Sequence, residues 1–448
     1  MIGPVLYEFL LLAGVLFWAA IVVWWSRHKL ASIYHPLTHY LLFHGILFAI
    51  RPVLAHILQY DKLYPALGFQ PTWGDKVTVL VAANLALAVF VIVSVRVGNL
   101  PMTRAGRTEG ANPPRFNLAF WFMLIICLPP ALASFISTFR SRDIGVSTMI
   151  NNAETGATIN TTGNGYFTDI GLMLGPIAVL IAWTGRFRWW SLLPLLVFIV
   201  ARAGTGTRWP FVMAVFSAAS LWAWEHRHRW PPKSLFVAAV PLIALFTVIG
   251  EDRGKFIRQL TSGQQAERVD TEYFSQRPLE SMDYGNMEFF EYMVHTVPAK
   301  TGTYDYFLNN FQLFTEPVPR VLWPGKPQGA PFERLFIWRY GNSIGASMAI
   351  PGEGWRALGW IGVVLWTAAF AWFYGRVYNL FVASNQDWPK VALFMLFMPV
   401  ALQCFRDGAI VTVAKTSFFP LIPVLIWWGL SRLRPDPQTA VMPKPALG

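Results

Sequence analysis

KVTVLVAANLALAVFVIVSVRV, residues 76–97, is the stretch on which the fold turns. Between Lys76 and Arg96 no residue is charged. At a rise of about 1.5 Å per residue such a run makes a helix just long enough for a hydrocarbon core of about 30 Å, which needs roughly 20 apolar residues. Working outward with the same rule gives about eleven spans: Pro4–Trp25, Pro36–Leu58, Lys76–Val97, Phe116–Phe139, Tyr166–Gly185, Trp189–Ala203, Trp209–Trp224, Ser234–Gly250, Gly359–Tyr378, Val391–Phe405 and Ala409–Leu430. The expected fold class is therefore all-α and polytopic. Composition agrees, since hydrophobic residues are 54%, charged residues 13% and mean hydropathy +0.42. Soluble domains carry about a quarter charged residues.

The connections between spans set an orientation. Arg27-His28-Lys29, then Arg96 with Arg104, Arg107 and Arg115, then Arg186 and Arg188, then His226 to Arg229, then Arg432 and Arg434 alternate with less basic loops. The positive-inside rule puts these five in the cytoplasm, with the N-terminus outside and the C-terminus inside. The chain then divides into spans 1–8 over 1–250, a large outward loop over 251–356, spans 9–11 over 357–432, and a Pro-rich cytoplasmic tail over 433–448 that reads as disordered. The first span follows no basic n-region and reads as retained, not as a cleaved signal. Cys127 and Cys404 fall inside apolar runs, which offers neither a disulfide framework nor a thiolate metal site. The net charge of +12 is not concentrated in a basic block interleaved with aromatics, so nucleic acid is not an expected partner.

The outward-running spans each end near an arginine: Arg51, Arg140, Arg202 with Arg208, Arg253, and Arg406. Arg51, Arg202 and Arg406 are placed in the outer half of the membrane, where an arginine costs about 2.5–3.5 kcal/mol on the insertion scale. Each guanidinium alone can be explained by snorkelling or by an adjacent acid. As a set they suit a cation-lined cavity opening outward, fit for an anion such as a lipid diphosphate. The turn Ala201 to Pro210 is rich in small residues and presents Arg208, although a plain helical hairpin explains it too.

The 251–356 insert holds more than half of the chain's acids. From Met287 to Phe314 aromatic and apolar residues recur at helical spacing, which predicts amphipathic helices on the outer surface. Pro317, Pro319, Pro324 and Pro327 stiffen the next segment, so that Arg320 and Lys326 are displayed on an extended loop. Glu353 stands between Gly352 and Gly354 at the entry to a span, as a candidate base for a hydroxyl or as the ion-pair partner of Arg356. Asp283 and His295 are the other candidate bases, with a packing role favoured for His295. The acids do not form a paired Asp-x-Asp metal site, and no cofactor is called for.

Pro319-Arg320-Val321-Leu322-Trp323-Pro324-Gly325-Lys326-Pro327, Gly352-Glu353-Gly354-Trp355 and Gly359-Trp360-Ile361-Gly362, together with the span layout, resemble the Wzy-type oligosaccharide repeat-unit polymerases of bacterial O-antigens and exopolysaccharides. The layout is alike over nearly the whole chain, while only these short segments are specific. The resemblance implies a GT-C-like, metal-independent membrane glycosyltransferase at the periplasmic face of the inner membrane. Such enzymes move a glycan from undecaprenyl diphosphate onto the sugar of a fresh lipid-linked repeat unit. Partners it implies are that lipid-linked oligosaccharide, membrane lipid, a chain-length regulator and other polysaccharide export proteins. By position Arg208 and Arg320, and similarly Arg406, match the family's outer-loop arginines. Three alternatives stay open: a ligase delivering glycan to lipid A core, a lipid-linked glycan transporter, and a non-catalytic scaffold. No internal repeat of the transporter kind is found.

Overall fold

The computed structural model describes residues 2–102, 115–143, 149–151, 158–160, 165–204, 209–233, 284–318, 322–327, 330–341, 347–384 and 387–433, together with 235, 237, 277, 279 and 280. These residues are helical throughout apart from loops and a two-stranded antiparallel ribbon that pairs Met149–Asn151 with Thr158–Asn160. Among the described residues seven helices are long and apolar enough to cross a membrane. They are α1 (Ile2–Arg27), the composite Pro36–Ile57, α5 (Trp73–Val97), α6 (Leu118–Asp143), α13 (Ala349–Val382), α14 (Trp388–Asp407) and α15 (Ile410–Leu433). Within the composite, α2 is Pro36–His44 and α3 is Arg51–Ile57; the short α4 is Leu63–Leu67. Between α6 and α13 lie α7 (Gly165–Ile170), α8 (Leu174–Thr184), α9 (Trp189–Gly204), α10 (Trp209–Glu225), α11 (Asn286–Thr296) and α12 (Gln312–Thr315). Ten of the eleven expected spans coincide with helix among these residues, and the span expected at Ser234–Gly250 lies largely outside them.

The lipid-facing side is visible in the side chains. Val5, Phe9, Leu12 and Leu16 of α1, Trp121, Ile125 and Ile126 of α6, and Leu196 and Val197 of α9 are all exposed. Apolar faces of that extent have no place in water and fit a lipid surround. The composite second span needs a local adjustment. Pro52 lacks an N–H and its ring crowds the carbonyl four residues earlier, and the turn before it, Gly45–Ile50, widens to a π-helix. Helix α5 starts on a reciprocal cap, with Asp75 N–H donating to Thr72 Oγ1 at 3.1 Å and Thr72 N–H to Asp75 Oδ2 at 2.8 Å.

The two ends of the bundle differ in chemistry. At one end the basic connections interlock: Arg229 Nε donates to Ala31 O at 2.5 Å, Ile33 N–H to Arg229 O at 3.1 Å, and Tyr34 OH to His228 O at 3.0 Å. At the other end sit the described parts of the insert. Helix α11 is not the surface-lying amphipathic helix that its spacing predicts. Nine of its eleven residues are buried, Glu288 and Glu291 among them, because it is packed between α5, the first turns of α13 and the π-helical turn. Its aromatic residues Phe289, Phe290 and Tyr292 fill that end of the core.

Helix α13 is two segments, 349–357 and 360–382. Leu358 (φ −160°, ψ 31°) and Gly359 (φ 59°, ψ −139°) break it. Gly359 adopts a backbone open only to glycine. Across the break the segments fold against each other, so that a Cβ on Gly354 would stand 2.5 Å from Gly362 O. In a straight helix residues eight apart are about 12 Å apart. The carbonyls of Arg356 and Ala357 accept from Asp305 N–H at 3.0 Å and Tyr306 N–H at 2.9 Å, which caps the first segment.

Candidate functional site

The end of the bundle that carries the insert holds two adjoining polar centres. The first is built on the short segment 349–357, whose first turns carry Glu353 and Arg356. Gly408, in the turn between α14 and α15, lies so close that a Cβ there would stand 2.4 Å from Ala349 O and 2.9 Å from Glu353 Cγ. Its φ of 77° likewise favours glycine. That turn brings Asp407 and Arg406 to the same junction. Asp407 accepts from Ser347 Oγ at 3.1 Å, and Asn286, at the start of α11, donates to both Ser347 O and Arg406 O at 2.7 and 2.8 Å. The Arg406 guanidinium lies 5.5 Å from the ring centroid of Trp209, the residue that follows Arg208 in sequence.

Glu353 is only loosely engaged. Among the described residues its nearest cation is Arg356, with Nη1 at 3.9 Å. Arg356 is shared, since Glu333 also stands 3.9 Å away and Asn309, with its amide oxygen turned inward, accepts from both terminal nitrogens at 3.0 and 3.2 Å. Asp305 completes the surround, its Oδ2 accepting from Asn309 N–H at 3.1 Å and its Oδ1 buried with no hydrogen-bond partner among the described residues. Burial pushes the Asp305 carboxyl above its ordinary range in spite of Arg356. A largely enclosed carboxylate with no close hydrogen bond, beside the Arg356 guanidinium, can take a proton from a bound hydroxyl.

The second centre lies beneath α11. Arg51 is fully buried, and its Nη1 meets Glu288 Oε2 at 2.5 Å while its Nε donates to Leu279 O at 2.9 Å. Three residues on, Glu291 Oε2 accepts from Tyr64 OH at 2.7 Å. Burial first, and then the neighbouring Glu288, raise the Glu291 carboxyl to about 8. A cleft of about 110 Å³ opens beside these groups.

The other expected site residues are dispersed. Arg202 is enclosed by α6, the 171 turn and α9, with Nη2 donating to Gly171 O at 3.3 Å and its guanidinium 5.1 Å from the Phe135 ring. Lys326 is folded back, not displayed, and its Nζ donates to Glu316 O at 2.9 Å and Val318 O at 3.1 Å. Glu316 in turn pairs with Lys415 of α15. Burial works to raise the Glu316 carboxyl, but Lys415, Gln312 and Lys326 hold it below its ordinary value. His295 Nδ1 is 3.0 Å from Asp75 Oδ2, a contact that ties α11 to the cap of α5. Asp283, Arg208, Arg253 and Arg320 lie outside the described residues.

Sequence reasoning passed over Glu288, Glu291, Tyr64, Asp305 and Lys76 as site residues. The available signal was two carboxylates three apart inside an otherwise aromatic helix, Asn286-Met287-Glu288-Phe289-Phe290-Glu291-Tyr292, which puts both on one face. Among the described residues no three His, Cys, Asp or Glu side chains are grouped to hold a metal ion. Compared with known proteins, the chain matches no family model, no curated protein and no solved structure.

Proposed function

We propose that the chain is a membrane glycosyltransferase that polymerises lipid-linked oligosaccharide repeat units into a surface polysaccharide, with an eleven-span GT-C-like architecture and the insert on the periplasmic face of the inner membrane. One observation carries this reading: the turn that holds Arg406 packs against Glu353 at the end of the bundle opposite the basic connections, with the Arg406 guanidinium beside Trp209. In the proposed reaction an acceptor sugar hydroxyl attacks the anomeric carbon of the donor. Its proton passes to the Glu353 carboxylate. The bond from the anomeric carbon to the diphosphate oxygen breaks, and the undecaprenyl diphosphate leaves with the electron pair. Guanidiniums fixed in a water-poor pocket stabilise that developing charge without reorganisation. Arg406 supplies one, and Arg208 and Arg320 are the others that the family resemblance nominates.

The test is a ladder gel of surface polysaccharide from cells whose own copy is replaced by variants at equal membrane level. Glu353→Gln and Arg406→Ala should leave single-repeat product, with loss of one charge-stabilising group slowing transfer on the order of 100-fold. A full ladder from both variants sinks the reading. Loss of the single-repeat product as well favours the ligase or transporter.

A further inference from the structure

The cleft under α11 has a composition that the transfer chemistry does not use. Four aromatic rings, those of Tyr7, Tyr60, Tyr64 and Trp73, line it together with Gln59, Lys76 and the two α11 carboxylates. Lys76 Nζ sits 5.9, 5.3 and 5.4 Å from the ring centroids of Tyr7, Tyr64 and Trp73. The ammonium is thus held among the three rings, all of which line the cleft. Arg51 is neutralised by Glu288, and its Nη2 is buried with no hydrogen-bond partner among the described residues. The Arg51–Glu288 pair cancels in charge, so the lining offers no cluster of free cations to an anionic ligand. Flat apolar rings beside closely spaced acceptors and donors instead match a neutral polyol, whose C–H faces stack while its hydroxyls hydrogen-bond.

We infer that this cleft is a saccharide subsite, which takes one pyranose ring of the substrate glycan at Trp73 and Tyr64 while Gln59, Lys76 and Glu291 engage its hydroxyls. The choice of ligand rests on the glycan-transfer reading above. The cleft adjoins the Glu353 junction through the first turn of α11, where Asn286 reaches Arg406 O and Glu288 reaches Arg51. A sugar held here lies on the acceptor or donor chain away from the reacting bond, and its fit selects which repeat unit is used.

Full-length protein in lipid nanodiscs, probed by saturation-transfer NMR with the methyl glycosides of glucose, galactose and N-acetylglucosamine, tests this. At least one glycoside should receive saturation, and the signal should fall about ten-fold in Trp73→Ala, the loss of one stacking face. Trp73 is partly exposed at the first turn of α5, so the variant should fold, and Gln59→Ala, also at the surface, provides a second probe with a smaller loss. Glu353→Gln should bind as wild type. No transfer to any of the three glycosides overturns the inference, as does equal transfer from wild type and Trp73→Ala. Displacement of the glycoside by inorganic pyrophosphate would make the cleft an anion site and overturn it too. Binding retained in Glu353→Gln, with a full ladder in cells from both Glu353→Gln and Arg406→Ala, leaves the subsite standing and removes the polymerase reading. A lost ladder without glycoside binding does the reverse.

Discussion

Arg51 and Glu288 are the most enclosed ion pair among the described residues of the insert end, with side-chain exposures of 0% and 4%. Such a pair gives little net stability over an apolar pair of equal volume, because two charges have lost their water. Breaking it from one side is another matter. Arg51→Met should cost about 3–5 kcal/mol, since it strands the Glu288 carboxylate, while the double variant Arg51→Met/Glu288→Met should recover most of that loss. Thermal unfolding of the two variants in detergent measures both, and equal losses would mean that the pair is not coupled. Glu291 adds a pH dependence. Its folded carboxyl titrates near 8 against an ordinary value of 4.5, so the folded chain keeps a proton that the unfolded chain gives up between those values. Stability therefore falls as pH rises from about 4.5 through 8 and levels above that. Glu291→Gln should flatten the slope of melting temperature over pH 5–8; an unchanged slope assigns it elsewhere.

At the scale of the element, the break in α13 is what makes the site. Gly359 at φ 59° and ψ −139° turns the first segment back, and the freed carbonyls of Arg356 and Ala357 are met by Asp305 and Tyr306. Without the break, Glu353 and Arg356 would continue one straight helix and leave Gly408. A Cβ at residue 359 is excluded twice, by the backbone and by Tyr304 OH at 2.8 Å. Gly359→Ala should lower stability by roughly 1–3 kcal/mol and reduce the polymer ladder, read by a thermal melt and a gel of the same membranes. An unchanged melt would mean that the segment accommodates the side chain by moving. Helix α11 makes the complementary point. Its acids and aromatics suggest a half-wet surface helix, but it is buried because insert and spans close over it, and its carboxylates find Arg51 and Tyr64 there.

For the molecule as a whole, the two ends carry the decisive difference. Single cysteines introduced at Gly325, which faces open space in the insert loop, and at Lys29, in the interlocked basic end, report sidedness once Cys127 and Cys404 are replaced. A membrane-impermeant maleimide should label Gly325→Cys in intact cells and Lys29→Cys only after permeabilisation. The opposite pattern would invert the topology and move the proposed chemistry to the cytoplasm.

The apolar runs alone determined the membrane class, the ends of most long helices and the alternation of basic loops. The reason is that transfer from water to lipid acts on each window of about 20 residues by itself. Glu353, between two glycines at the entry to a span, and Arg406, at the end of an outward-running span, were legible as candidates. Only the tertiary structure decided which charge meets which. Arg51 and Glu288 are 237 residues apart, and Tyr64 and Glu291 are 227 apart. The burial that makes such pairs, and that folds Lys326 back onto its own loop, follows from how insert and helices close over one another, which no local window of sequence contains.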